Sequence, residues 1–169
     1  ASISKKTLYD HFKDKESLVS AIVTNLINTQ TDILFRCREK AVNAVEEIVL
    51  QVRQGFIKLT EINQSFFHDV EKYYPEAWQL IIKYKKTTLL PFILTNLNRG
   101  IEEEYFRKDI QLPFTGEMRL QQIATSLDPG RLFDKNYQAG EMLMTFTIFY
   151  LHAITTTKGK NLIQKYINE

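Results

Sequence analysis

The stretch Ile3-Ser4-Lys5-Lys6-Thr7-Leu8-Tyr9-Asp10-His11-Phe12-Lys13-Asp14-Lys15-Glu16-Ser17-Leu18 decides how the chain is interpreted. Ser4 can cap a short helix that places Leu8 and Phe12, four residues apart, on one face. The rest of that helix carries long hydrogen-bond donors, namely Lys5, Lys6, Thr7, Tyr9 and His11. A two-turn helix with an apolar back and a cationic front is suited to the major groove of DNA, although a solvated lysine face on an ordinary amphipathic helix is the alternative.

A long helix is predicted directly after this stretch. Apolar residues recur at Leu18, Ile22 and Leu26, with a parallel row at Val19, Val23 and Ile27, which is the spacing of one helical face. Asp14 is a suitable N-cap, and Glu16 in the first turn suits the positive end of the helix dipole. We therefore predict one helix from Lys15 to about Arg38.

The rest of the chain also has helical periodicity. It predicts helices over residues 40–62, 75–105, 116–127 and 137–156, with a short helix around Phe66 and Val70 and another at the C-terminus. Pro75 suits the first position of its helix, whereas the internal Pro91 predicts a bend near Thr87. Residues 107–115 are expected to be a connection, Asp128-Pro129-Gly130 a turn, and Lys158-Gly159 a break before the last helix. The predicted fold class is all-α.

Composition restricts the class of protein further. Of the 169 residues 44% are hydrophobic, while only 6 are Gly and 4 are Pro, which favours a helical core over disorder or a turn-rich β fold. The formal charge of +2 means that any contact with nucleic acid must be local. No segment predicts a membrane span or a secretion signal, and the single Cys37 is expected to be a small buried hydrophobe rather than a reactive thiol. We expect a cytoplasmic protein without a membrane partner.

The N-terminal stretch resembles the end of the helix-turn-helix in TetR-family transcriptional regulators. The matching residues are Ser4, Lys5, Thr7, Leu8, Tyr9, Phe12, Lys15, Glu16 and Leu18. The resemblance implies that Lys5, Thr7 and Tyr9 contact phosphates or bases of a double-stranded DNA operator, and that Lys15 holds a phosphate. Ser4, Lys6 and His11 complete the expected DNA-binding set, and Lys6 and His11 are the candidate base readers.

The family's first two helices, about thirty residues that brace the recognition helix, are not in this sequence. The resemblance therefore implies a truncated helix-turn-helix part followed by a TetR-type C-terminal domain. We assign residues 1–14 to the remnant of the DNA-binding domain, with a recognition helix at about 4–12. Residues 15–169 are assigned to a helical effector-binding and dimerisation domain.

Aromatic residues with polar tips cluster in the middle of the chain. Such side chains on adjacent helices can line a cavity for a small organic ligand, although simple core packing is an alternative for each of them. The candidates for an effector pocket are Phe66, Phe67, His68, Tyr74, Trp78 and Tyr84.

Other kinds of site have no support in the sequence. His68, His152 and Cys37 do not have the spacing of metal ligands, and no nucleophile elbow, phosphate loop or paired carboxylates are present, so we expect no metal, no cofactor and no enzyme activity. The predicted function is a homodimeric, ligand-responsive repressor, dimerising through residues 116–127 and 137–156, that an unknown small molecule releases from DNA. The alternative is a helical small-molecule-binding or protein-interaction module without a DNA partner.

Overall fold

A computed structural model gives the structure of residues 12–63, 65–128, 130, 133 and 137–168. Its first helix, α1 (Lys15–Lys40), begins at the residue that the sequence predicts. Asp14 caps it, since the Asp14 carboxylate accepts the Ser17 N–H at 2.8 Å and the Ser17 hydroxyl accepts the Asp14 N–H at 3.2 Å. This reciprocal cap satisfies two backbone donors that a helix start leaves free.

The second helical segment contains a wide turn. It runs as α2 (Ala44–Gln51), a π-helical turn π1 (Val52–Phe56) and α3 (Ile57–Thr60). The prediction of a helix over residues 40–62 is therefore correct in type but wrong at its start, because Asn43 is the N-cap and accepts the Glu46 N–H at 2.9 Å. Residues that cap well compete with helix continuation at this position.

The third helical segment, predicted over residues 75–105, is preceded by a short helix. After α4 (Ser65–Tyr73) come α5 (Pro75–Tyr84), a second π-helical turn π2 (Lys85–Leu89) and α6 (Leu90–Glu102). Pro75 lies in the first turn of α5, as predicted. The irregularity expected near Thr87 takes the form of π2, which ends just before Pro91; a proline has no N–H to give, and a widened turn accommodates its ring.

Three further helices complete the described fold: α7 (Leu112–Leu127), α8 (Ala139–Ile154) and α9 (Thr157–Asn168). The prediction that residues 107–115 form a connection is wrong at its end, because Pro113 lies in the first turn of α7, where a missing N–H costs nothing. A lipid bilayer could not be spanned by any helix within the described ranges, since each is too short or too polar.

The predicted break at Lys158-Gly159 is also wrong, because both residues lie inside α9. The chain turns earlier, at Thr155, whose backbone forms an isolated antiparallel bridge with Phe106. A Cβ atom at Gly159 would collide with the Tyr105 carbonyl oxygen, so this glycine permits close contact between α9 and the segment after α6. Glycine was needed here for space rather than for a turn.

A network of ion pairs, which we call the ionic cluster, borders the core of the molecule. The Glu47 carboxylate is 0% exposed and is held by Arg38 at 3.2 Å and by Arg99 at 3.1 Å. Arg99 also pairs with Glu103 at 2.6 Å, and Glu103 accepts the backbone N–H of Ala44. Paired and hydrogen-bonded in this way, the buried charge is neutralised where α1, α2 and α6 meet.

Candidate functional site

An apolar cavity lies between α1, α4, α5 and α7. Its volume is about 60 Å³. Its walls come from Val23, Leu26 and Ile27 of α1, from the two π turns, and from the aliphatic face of α7 that carries Leu120, Ile123, Ala124 and Leu127. A dry, apolar space of this kind accepts the hydrocarbon part of a ligand.

A more polar cavity of about 280 Å³ lies beside the apolar one. The two share Phe67, Ile81 and Lys85 as a common wall, and the outer one adds Glu71, Gln121 and Asp128. The Lys85 ammonium lies 5.3 Å from the centroid of the Trp78 ring. The pair of cavities therefore offers an apolar interior next to a polar, charged rim.

The predicted pocket residues do not all line one cavity. Phe66, Phe67 and Tyr84 line the apolar cavity, and Trp78 lines the outer one together with Phe67. Tyr74 and Phe66 line a separate recess beside Lys15, and His68 is exposed and lines neither cavity. Sequence reasoning missed the α1 and α7 walls, because an aliphatic residue beside a cavity has the same periodicity as one in a filled core.

Two buried polar groups face the apolar cavity. The Gln30 amide donates weakly to the Gly55 carbonyl at 3.5 Å, but its Oε1 receives no hydrogen bond within the described part of the chain. The Tyr84 hydroxyl lies near that of Thr31 without a well-formed hydrogen bond to any described residue. Burial raises the pKa of Tyr84 to about 12, which the Thr31 hydroxyl partly opposes, so the phenol stays protonated.

A side-chain contact joins the first turn of α1 to the start of α5. Glu16 Oε1 accepts the backbone N–H groups of Glu76 at 3.1 Å and Ala77 at 3.2 Å. A carboxylate at these free donors caps α5 and interacts favourably with the positive end of its dipole. Movement of α5 at the cavity is thereby linked to the N-terminal end of α1.

Lys15 is the one predicted DNA-binding residue that lies within the described ranges. It is exposed in the first turn of α1, and its ammonium is 5.7 Å from the centroid of the Tyr74 ring. The other six, Ser4, Lys5, Lys6, Thr7, Tyr9 and His11, lie outside the described residues, as does most of the predicted recognition helix. Their assignment stays a prediction.

Cys37, on α1, is fully buried. Burial, with Glu47 nearby, raises the pKa of the Cys37 thiol, which disfavours the reactive thiolate. Within the described ranges, no three or more His, Cys, Asp or Glu side chains are grouped so that they could hold a metal ion.

No family model matches the chain, but a curated protein and solved structures do. The chain is 23% identical over 156 residues to the uncharacterized HTH-type transcriptional regulator YvaF of Bacillus subtilis (strain 168), covering 90% of this chain and 80% of that protein. Its fold matches the ketosteroid transcriptional regulator KstR2 of Mycobacterium tuberculosis with a TM-score of 0.69 at 18% identity, covering 91% of this chain and 80% of that one. The predicted all-α fold class is confirmed, and the chain is similar in sequence to one transcriptional regulator and in fold to another.

Proposed function

We propose that the chain is the larger part of a DNA-binding transcriptional repressor that a small molecule releases from its operator. The observation that supports this best is the apolar cavity against α1, the helix that directly follows the predicted recognition helix. Both matched proteins carry the words transcriptional regulator in their names, which agrees with the proposal. In domain terms, residues 1–14 belong to the DNA reader, and residues 15–169 bind the effector and dimerise.

In the proposed mechanism, α1 is the lever between ligand and DNA. A ligand in the apolar cavity presses on Val23 and Ile27 of α1 from the side of α5. Because Glu16 fastens α1 to the start of α5, the two helices shift together. In a dimer, this changes the separation of the two recognition helices from the roughly 34 Å that one turn of DNA requires, and the affinity for the operator falls.

The DNA contacts in this proposal are those that the sequence predicts. Lys5, Thr7, Tyr9 and Lys15 hold phosphates or bases, Ser4 caps the recognition helix, and Lys6 and His11 read base edges. Phosphate contacts supply orientation and most of the salt-dependent affinity. A regulator acting on an operator in this way works in the cytoplasm.

Dimerisation in this proposal uses α7 and α8. Phe114 and Met118 on α7 and Phe149 on α8 are exposed, Phe114 and Phe149 to 66% and 65%. Large apolar side chains on two neighbouring helices are typical of a surface that a second copy covers, here as a four-helix interface.

Sedimentation of the chain should give twice the mass of one copy. Phe149→Lys should give single copies, whereas the control Val42→Lys, at a position 74% exposed on another surface, should remain a dimer. A native chain that sediments as a single copy at micromolar concentration contradicts the interface.

The DNA assignment is tested on the full-length protein with an operator selected from random duplexes. Tyr9→Phe and Lys15→Ala should each weaken binding, and Lys15→Ala should reduce the salt slope of binding by about one phosphate contact. Lys160→Ala, at an exposed position on α9, is the matched control and should bind like the native protein. Unchanged affinity and salt slope in both variants contradict the assignment, and selection of no sequence at all favours a helical small-molecule-binding or protein-interaction module instead.

A further inference from the structure

Arg119, on α7, is buried among neutral groups. Its residue is 3% exposed, and its guanidinium donates to the Thr147 hydroxyl at 2.9 Å and, at the 3.5 Å limit, to the Gln122 amide oxygen. The guanidinium carbon lies 5.1 Å from the centroid of the Tyr150 ring. Burial lowers the pKa of Arg119 to about 10, so the group is still a cation at neutral pH.

No carboxylate neutralises this cation within the described ranges. The ion pairs there join Arg38, Arg99, Arg107 and Lys158 to acids and leave Arg119 out. The comparison with Glu47 is direct, because that equally buried charge has two arginine partners and a hydrogen bond from Gln51 at 3.1 Å. A buried charge without a counter-ion destabilises a fold, so a position that keeps one is a candidate for binding an anion.

Arg119 lines a small polar recess next to the apolar cavity. The recess has a volume of about 10 Å³, and its polar lining also includes Gln51, Asn96 and Tyr150. The Tyr150 hydroxyl is buried and has no hydrogen-bond partner in the described part of the chain. Phe56 and Ile123 line both the recess and the apolar cavity, so these two side chains form the wall between them.

We propose that the effector is an amphipathic carboxylic acid whose hydrocarbon part occupies the apolar cavity and extends into the adjoining outer cavity, and whose carboxylate binds Arg119 and accepts a hydrogen bond from the Tyr150 hydroxyl. This inference rests on the proposed role of the cavity as the effector site. The planar guanidinium pairs with a planar carboxylate through two parallel hydrogen bonds. A recess of this size holds about one water molecule, so the head group enters by displacing the Phe56 and Ile123 side chains.

Phe56 is the last residue of the π-helical turn π1, and this turn allows the displacement. A π turn has one residue more than a regular helical turn, and such turns occur often at functional sites. Return of π1 toward regular helical spacing would reorient Phe56. A carboxylate fits this space better than a phosphate, which is larger and carries more charge than one arginine neutralises.

The test is binding of three ligands with the same hydrocarbon chain, measured by calorimetry below their micelle concentrations: decanoate, 1-decanol and decyltrimethylammonium. Decanoate should bind the native protein at least tenfold more tightly than 1-decanol, and the ammonium compound most weakly. Arg119→Met should remove the preference for decanoate while binding of 1-decanol persists. Arg107→Met, at an exposed arginine paired with Asp109, is the control and should keep the preference.

Thermal unfolding gives a second readout that a purely structural arginine would not produce. Without ligand, Arg119→Met should unfold at a higher temperature than the native protein, because an uncompensated buried charge is removed. Decanoate should raise the unfolding temperature of the native protein and of Arg119→Lys more than 1-decanol does, whereas the two ligands should raise that of Arg119→Met equally. Equal affinity of the native protein for decanoate and 1-decanol, survival of the preference in Arg119→Met, or a less stable Arg119→Met overturns the proposal.

The two proposals fail in different ways. Decanoate binding that depends on Arg119 but leaves operator affinity unchanged keeps the acid site and contradicts the effector role. Release from the operator by 1-decanol as effectively as by decanoate keeps the effector role and contradicts the acid site.

Discussion

The ionic cluster around Glu47 and the region around the apolar cavity treat buried polar groups in opposite ways. At the ionic cluster, the carboxylate of Glu47 has two arginine partners, and nearby the Tyr166 hydroxyl accepts a hydrogen bond from Asn43 at 2.8 Å. Around the cavity, Gln30 Oε1 and the hydroxyls of Tyr84 and Tyr150 have no well-formed hydrogen bond in the described part of the chain. Of the four buried side-chain atoms without a partner among the described residues, those of Gln30, Tyr84 and Tyr150 line the apolar cavity or the recess beside it, and the fourth is the Ser20 hydroxyl on α1.

The backbone differs between the two regions as well. Both π-helical turns contribute to the cavity, π1 through Phe56 and π2 through Lys85 and Leu89. The ionic cluster instead joins regular helices near their ends. We interpret the ionic cluster as the part that stabilises the fold, and the region around the apolar cavity as the part that can change its packing when a ligand binds.

The largest effect is expected at the ionic cluster. Glu47→Ala should lower the free energy of unfolding by about 3 kcal/mol. This is near the lower limit of the cost of breaking a buried ion pair, because Arg38 and Arg99 keep some contact with water. Denaturant unfolding measures the change. Glu39→Ala, at an exposed position of α1, is the control and should change little. Equal effects of the two substitutions would mean that the cluster does not stabilise the fold.

The second-largest effect is expected when one or two carbon atoms are added to a side chain. The loss of unfolding free energy should then be larger near the ionic cluster than at the apolar cavity. A Cβ atom at Gly100 would collide with the Phe106 ring, which is buried near the ionic cluster, so Gly100→Ala should cost about 2 kcal/mol of unfolding free energy. Ala124 lines the cavity, where added carbon atoms meet empty space, and Ala124→Val should change stability by less than about 1 kcal/mol. Similar losses in the two variants would indicate that the cavity is as tightly packed as the core.

Removal of a single hydroxyl gives a smaller difference. Tyr166→Phe should lower the unfolding free energy by about 1 kcal/mol, since the Asn43 amide loses its acceptor. Tyr84→Phe removes a buried hydroxyl without a well-formed hydrogen bond and should leave stability unchanged or slightly higher. Thermal and denaturant unfolding of the two variants side by side measures this contrast, and a larger loss for Tyr84→Phe would refute it.

A loss of stability similar to that of Tyr166→Phe is expected at the contact between α1 and α5. Glu16→Ala should cost about 1 kcal/mol, as the loss of a helix cap does, but it should also weaken the response of operator binding to ligand. The control is Glu39→Ala, at an exposed position of the same helix, which should keep the response. Fluorescence anisotropy of a labelled operator, with and without decanoate, measures the response of operator binding to the ligand. A full response in Glu16→Ala would mean that α1 is coupled to the cavity by other contacts.

Local rules predicted the starts of two helices correctly and failed where a contact distant in sequence decides the structure. Asp14 and Pro75 mark helix starts through their own chemistry, and the structure agrees. The sequence predicts a break at Lys158-Gly159, whereas the nearby Tyr105 carbonyl explains why a glycine lies inside α9. A leucine-proline pair at Leu112 suggested a connection, although Pro113 fits equally well in a first helical turn.

The candidate site was predictable only in part. Phe67, Trp78 and Tyr84, which line the two cavities, were predictable, because a cluster of aromatic side chains with polar tips is unusual for a core. The aliphatic walls could not be identified, since Ile27 or Leu120 follows the same helical spacing in a filled core. Arg119 gave no signal, because the missing partner of a buried charge becomes visible only when the neighbouring helices are in place.

The central claim is that filling the cavity moves α1 and thereby weakens DNA binding. Ala124→Phe in the full-length protein places a ring in the cavity without any ligand, and Asn161→Phe, at an exposed position on α9, is the control. Anisotropy titrations of the selected operator should show at least tenfold weaker binding for Ala124→Phe, with helicity and dimer mass retained, and native affinity for Asn161→Phe. Native operator affinity in a folded, dimeric Ala124→Phe protein would contradict the account.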